Sequence, residues 1–303
     1  MVESAMTSVE RVLFYSHEIP QEAAMTSDEL DDVKAGTSSF GGKKAIHTTK
    51  EWPESGSLTL SNLQMRYRTE TPLVLKGLNV SIGAGERIGV VGRTGSGKSS
   101  MLLVLMRIVE PLISEDGEKY EAPISIDGVD VMRIGLYDLR SKLGIIPQSP
   151  VLFSGTIRSN LDPFSHYTDE VIYDALEKCM MKDAVDKMSD GLQSRVAEYG
   201  ENLSQGQRQL LCLGRALLRN CKILLLDEAT SSVDYETDRA VQKTIREAFN
   251  GCTIITIAHR VNTILDSDKI LVMDNGQVGE FDTPQKLLAD KESLFSVIVN
   301  HSE

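Results

Sequence analysis

Several features that would point to particular protein classes are missing from this chain. No apolar run approaches the ~18 residues that a membrane-spanning helix needs. Nothing near the start reads as a secretory signal, so the stretch is expected to be soluble by itself. The four cysteines, Cys179, Cys212, Cys221 and Cys252, include no C-x-x-C pair and no metal-site spacing. Several fall inside apolar segments, and they read as buried reduced thiols in a cytosolic setting. Positive charge is short: 32 Lys and Arg against 44 Asp and Glu leave a net charge of −12, which argues against a nucleic-acid partner. No internal repeat is visible. What is present, 41% hydrophobic and 25% charged residues over 303 positions, suits a globular protein with one large domain or two modest ones.

Taken in order, residues 1–15 hold a short amphipathic pattern, with Val9, Val12, Leu13 and Tyr15 on one helical face after Ser8. From 16 to 57 Ser, Thr, Gly, Lys and acidic residues dominate, a composition that buries little apolar surface and predicts a mobile linker. The folded part is expected from Leu58 onward. Leu58–Leu60, Val74–Ile82, Ile124–Ile126, Gly144–Gln148, Lys222–Glu228 and Thr253–Ala258 read as strands. Helical periodicity covers Thr168–Met188, a long helix follows Ser204 as its cap, and another starts at Asp282-Thr283-Pro284. The acidic stretch Glu115–Glu121 reads as a surface loop. Strands alternating with helices predict an α/β fold with a mainly parallel sheet.

The chemistry centres on Gly92-Arg93-Thr94-Gly95-Ser96-Gly97-Lys98-Ser99, which fits G-x-x-x-x-G-K-[ST]. A β-branched run, Ile88–Val91, precedes it and an apolar helical run, Ser100–Met106, follows it. A glycine-rich turn between strand and helix aims backbone N–H groups at one point, where the helix dipole adds about half a positive charge. Lys98 would reach the β- and γ-phosphates of a nucleotide, and the Ser99 hydroxyl would sit on Mg²⁺. Asp227-Glu228 follows four apolar residues, so both carboxylates emerge at the end of a buried strand, where open α/β sheets bind ligands. Asp227 would serve the Mg²⁺ shell, and Glu228 would orient and polarise the attacking water. Leu203-Ser204-Gln205-Gly206-Gln207 is, by itself, an ordinary capped helix start.

The order of these motifs, with Gln148 between the first and the last, resembles an ATP-binding cassette (ABC) nucleotide-binding domain from about Leu58 to the C-terminus. The resemblance implies a P-loop NTPase (RecA-like) core with an antiparallel β subdomain and an α-helical signature subdomain, the last at about 151–212. It implies ATP and Mg²⁺ as ligands. Gly92, Thr94, Gly95, Ser96, Gly97, Lys98, Ser99 and Ser100 fall in or beside the phosphate loop, and Gln148 matches the Q-loop glutamine, a Mg²⁺ ligand and sensor. Ser204, Gly206 and Gln207 fall in the signature. Asp234 falls at the D-loop aspartate, and His259 at the switch histidine that contacts the γ-phosphate. Tyr67 sits where the family stacks an aromatic ring on adenine. The catalytic set implied is Glu228, His259 and Lys98.

Ser8–Val12, Gly92–Gly95, Ile146–Gly155 and Asn160–Phe164 are similar to the second nucleotide-binding domain of C-subfamily, multidrug-resistance-associated transporters. Residues 1–15 would then be the cytosolic tail of a preceding transmembrane domain, and the chain a soluble fragment from the cytoplasmic face of a multi-pass membrane protein. The implied partners are the transporter's other nucleotide-binding domain and its transmembrane domains, reached through the surface after Gln148. A gating module of a C-subfamily channel or receptor uses the same motifs. A soluble ABC ATPase of chromosome maintenance would need long coiled-coil insertions, which are lacking. Gln205 departs from the family's usual Gly in the signature, so the site that this signature serves is expected to hydrolyse poorly.

Overall fold

The computed structural model describes residues 22–32, 44–113, 120–227, 235–258 and 264–300. Strand β1 (Leu58–Met65) lies between β2 (Leu75–Ile82) and β4 (Ile124–Ile126), and β5 (Val129–Asp130) extends the sheet beyond β4. Every pair in this sheet is antiparallel. Leu75, Leu78, Val80 and Ile82 put β2's buried face inward while Lys76, Asn79 and Ser81 face out, the alternation of a half-covered sheet.

The second sheet runs β12-β11-β3-β10-β9-β6. Here β3 is Arg87–Val91, β6 Leu143–Ile146, β9 Ile223–Asp227, β10 Thr253–Ile257, β11 Lys269–Asp274 and β12 Gln277–Asp282. Its pairs are parallel from β11 through to β6, and only β12 is antiparallel. Ile223–Leu226 is buried throughout, as a central parallel strand covered on both faces must be. A small pair, β7 (Gly155–Thr156) with β8 (Arg195–Val196), completes the strands seen among the described residues. The mainly parallel core is as the strand–helix alternation predicts, and the antiparallel subdomain is as the family resemblance implies.

Ten α-helices lie in the described residues: α1 (Ser27–Asp32), α2 (Lys98–Leu105), α3 (Leu136–Arg140), α4 (Ile157–Leu161) and α5 (Asp169–Lys178), then α6 (Lys182–Asp186), α7 (Gln205–Arg219), α8 (Tyr235–Ala248), α9 (Pro284–Ala289) and α10 (Leu294–Asn300). The single stretch expected over Thr168–Met188 is two helices, because Met180 takes a left-handed φ of 58° between them. One apolar core joins the antiparallel sheet, α2 and the inner face of the parallel sheet. A second core gathers α4 to α7 against β6 and β9. Cys179, Cys212 and Cys221 are buried, and all four thiols are free; burial pushes Cys179 up to about 12.

The described parts of 16–57 differ from the expected mobile linker. The Ser27 backbone N–H and hydroxyl donate to Asp138 Oδ2 at 3.0 and 2.8 Å. Leu136 and Tyr137 donate their N–H groups to Ala24 and Met25 carbonyls, and Ile46 donates to Arg133. Trp52 is buried in the first core. Asp127 accepts from the N–H groups of Ser55, Gly56 and Ser57 and from both serine hydroxyls. These residues form a strap across the β subdomain.

Candidate active site

β3 leads into the loop at Gly92, and the loop ends at Gly97, the residue before α2. Gly97 has φ 101° and makes no side-chain cap; a side chain there would be strained in the left-handed region and would meet Leu75 Cδ2 at 2.9 Å. The first turn of α2 therefore carries its backbone donors behind a glycine rather than under a capping oxygen. Lys98 is almost buried, and its Nζ donates to the carbonyls of Gly92 at 2.8 Å and Arg93 at 3.1 Å. The ammonium thus curls over the loop that precedes it, where an anion held by the loop would meet both.

The sheet brings the next pair together. Asp227 ends β9 in register with Ile257 of β10, and the Ser99 hydroxyl donates to Asp227 Oδ1 at 3.4 Å. A hydroxyl and a carboxylate side by side at the mouth of a phosphate loop suit a hard divalent cation that takes its other ligands from phosphate and water. Among the described residues no cluster of three His, Cys, Asp or Glu gathers. Gln148 is exposed two residues after the end of β6.

Tyr67 is half exposed, and its hydroxyl is 2.8 Å from Ser100 Oγ. It borders a cavity of ≈ 330 Å³ together with Thr71, Val74, Lys76, Gly95 and Asn275. That cavity touches the phosphate loop at Gly95 and has an aromatic wall, the combination a nucleoside next to its phosphates requires. Thr71, Lys76 and Asn275 were not among the residues expected at the site. Asn275-Gly276, a two-residue turn between apolar runs, was the available signal.

Ser204, Gly206 and Gln207 lie at the start of α7, whose apolar face packs into the second core. Ser204 N donates to Gln207 Oε1 at 2.9 Å and Gln207 N donates to Ser204 Oγ at 3.2 Å, a complete capping box at the head of α7. The sequence predicts the Ser204 cap; the return bond from Gln207 is an addition. Glu228, Asp234 and His259 lie outside the described residues.

The segment after Gln148 presents a second feature. Phe153 and Phe164 are 70% and 74% exposed, and both line a cavity of ≈ 210 Å³. Arg215 fixes this surface from α7, donating to the Asn160 and Val151 carbonyls and to Asn160 Oδ1. Asp162 is buried, which by itself would raise its pKa; the N–H groups of Tyr167 and His166 and the Arg158 charge outweigh burial and hold the carboxyl below its ordinary value.

Comparison with known proteins bears on all of this. A family model described as "ABC transporter" matches residues 75–231. "ABC transporter C family member 3" of Arabidopsis thaliana is 47% identical over 298 residues, covering 98% of this chain and 18% of that protein. "ATP-binding cassette sub-family C member 2" of Rattus norvegicus is 53% identical over 260 residues, covering 84% of this chain and 16% of that protein. The chain thus spans less than a fifth of these relatives. Among solved structures, that of a bacterial Atm1-family ABC exporter with ATP bound superposes with a TM-score of 0.75 at 32% identity, covering 85% of this chain and 43% of that one.

Proposed function

This chain belongs to the ABC transporter family, and we propose that it is the ATP-binding and ATP-hydrolysing domain of a C-subfamily exporter. The observation that carries the reading is the meeting of Lys98, its glycine-rich loop and the Ser99–Asp227 pair at the carboxyl ends of β3 and β9. Backbone amides and the Lys98 ammonium bind the β- and γ-phosphates, and the Tyr67 face receives adenine. Ser99, Asp227 and Gln148 would hold Mg²⁺, which when bound neutralises phosphate charge. Glu228 takes the proton of the attacking water and His259 steadies the γ-phosphate, roles assigned from the motif order.

The capping box at Ser204 supports a division of labour. The signature helix of this chain completes the partner domain's site, while Lys98, Asp227 and Glu228 work beneath the partner's signature. The aromatic surface at Phe153 and Phe164 fits a docking point for a transmembrane domain, as expected for a domain at the cytoplasmic face of a membrane. The test is ATP hydrolysis by the chain alone and after addition of the other half's nucleotide-binding domain. Slow turnover that the partner stimulates is expected. Brisk, concentration-independent turnover by the chain alone contradicts the shared site.

A further inference from the structure

The phosphate loop does not stand alone; it rests against a hairpin that lies far from it in the sequence. Strands β11 and β12 turn at Asn275-Gly276, with φ 47° and 82°, the left-handed pair of a tight two-residue hairpin. The Gly276 N–H donates to the Ser96 carbonyl at 3.1 Å, and the Gly276 carbonyl accepts from the Lys76 N–H at 2.8 Å. One residue therefore joins the loop to the edge of the antiparallel sheet through both of its main-chain groups. Met273, just before the turn, backs the loop's other end: a Cβ on Gly92 would lie 2.2 Å from the Met273 carbonyl oxygen, and one on Gly97 would lie 3.4 Å from Met273 Cε. Ser96 is buried beneath, and its hydroxyl has no partner. It is held by main-chain bonds, not by its side chain.

We infer that the β11–β12 turn is a positioning element of the nucleotide site, in which Gly276 sets the curvature of the phosphate loop without touching a phosphate. The inference rests on the nucleotide reading above. A loop whose amides must converge on one anion loses grip when it can relax outward, so a second layer that pins its carbonyls acts on affinity. Gly276 is suited to this by its positive φ and by space: a Cβ would sit 2.1 Å from the Val74 carbonyl oxygen. The same turn places Asn275 on the cavity that Tyr67 borders, so one hairpin supports both the phosphate and the base regions.

The experiment is titration of the full chain with MgATP, and separately with inorganic triphosphate, for wild type, Gly276→Ala, Lys76→Pro and Lys76→Ala. Lys76→Pro removes the donor to Gly276, whereas Lys76→Ala keeps it and removes the same side chain, so this pair carries the test should Gly276→Ala fail to fold. Circular dichroism checks each fold. Gly276→Ala and Lys76→Pro should each weaken MgATP by about fivefold relative to wild type and Lys76→Ala respectively, the size of one lost hydrogen bond. Inorganic triphosphate should weaken by the same factor, which a loss of base contacts would not produce. Unchanged affinity in the folded variants, with wild type binding normally, overturns the inference alone. Wild type that takes up neither ligand overturns the nucleotide reading beneath it.

Discussion

The helix starting at Lys98 follows a left-handed glycine with no side-chain cap, whereas the helix starting at Gln205 opens with Ser204 and Gln207 bonded to each other. Both starts lie in motifs that the family uses on nucleotide, yet they are built in opposite senses. The first leaves its backbone donors uncapped beside a buried lysine and a hydroxyl–carboxylate pair, so a ligand supplies the missing acceptors. The second bonds two of its own donors internally, the N–H groups of Ser204 and Gln207, so a ligand there meets fewer open donors. On the proposed reading, the difference makes the start at Lys98 the site that this chain fills unaided.

The largest effect that would sharpen this contrast is kinetic. Glu228→Gln, assayed with the partner domain present, should lower turnover by about 10²–10⁴-fold while ATP affinity holds; comparable turnover would show that another group is the base. Next comes binding. Lys98→Ala, measured by equilibrium uptake of labelled ATP, should lose at least about tenfold in affinity, the range of a hydrogen-bonded charge. Retained affinity would break the contrast by making the uncapped helix irrelevant. Ser204→Ala should act first as a lost cap, lowering thermal stability by about 1 kcal/mol through the α7 start. A larger loss of ATP affinity in the isolated chain than Lys98→Ala produces would reverse the assignment.

The smallest effect is with acid. Asp127, at the β4–β5 turn of the antiparallel sheet, is buried in part, which would raise its pKa. Its hydrogen bonds from Ser55, Gly56 and Ser57 more than offset that and hold it far below the ordinary carboxylate value. Asp162, on the signature side, is held down less strongly. A depressed folded pKa gives stability that is present above the unfolded value and lost as pH falls through the folded one. Both contributions are therefore complete at neutral pH. On acidification below an unfolded value of about 4, amide exchange should report release of the 162–167 loop before release of the Ser55–Ser57 strap. The opposite order would show that the two halves are not secured as described.

Much of the site was legible because its chemistry constrains residue type. A phosphate loop needs glycines and a lysine at fixed spacing, and buried parallel strands need runs such as Ile223–Leu226. The strap was read as a linker because its attachment leaves little trace in composition. Leu136, Tyr137 and Ile46 bond through the main chain, and the anchor at Asp127 collects serine and glycine donors that look like loop composition. Its apolar anchors are few: Trp52 is buried in the first core, and Leu30 and Ile46 pack against it. The β11–β12 hairpin was missed for a related reason. Its role at the phosphate loop runs through Gly276 main-chain atoms, which no side-chain motif announces. Gln205, by contrast, was visible as a departure from the family, and it sits in the first turn after the capping serine.

The most direct test of the central claim is amide exchange across the full chain as MgATP is titrated to millimolar levels without a partner domain. Saturable protection at the loop and first turn from Gly92 to Ser100, with Ser204–Gln207 unaltered, is the predicted result. No saturable protection at Gly92–Ser100, or protection that develops at Ser204–Gln207 instead, would contradict it.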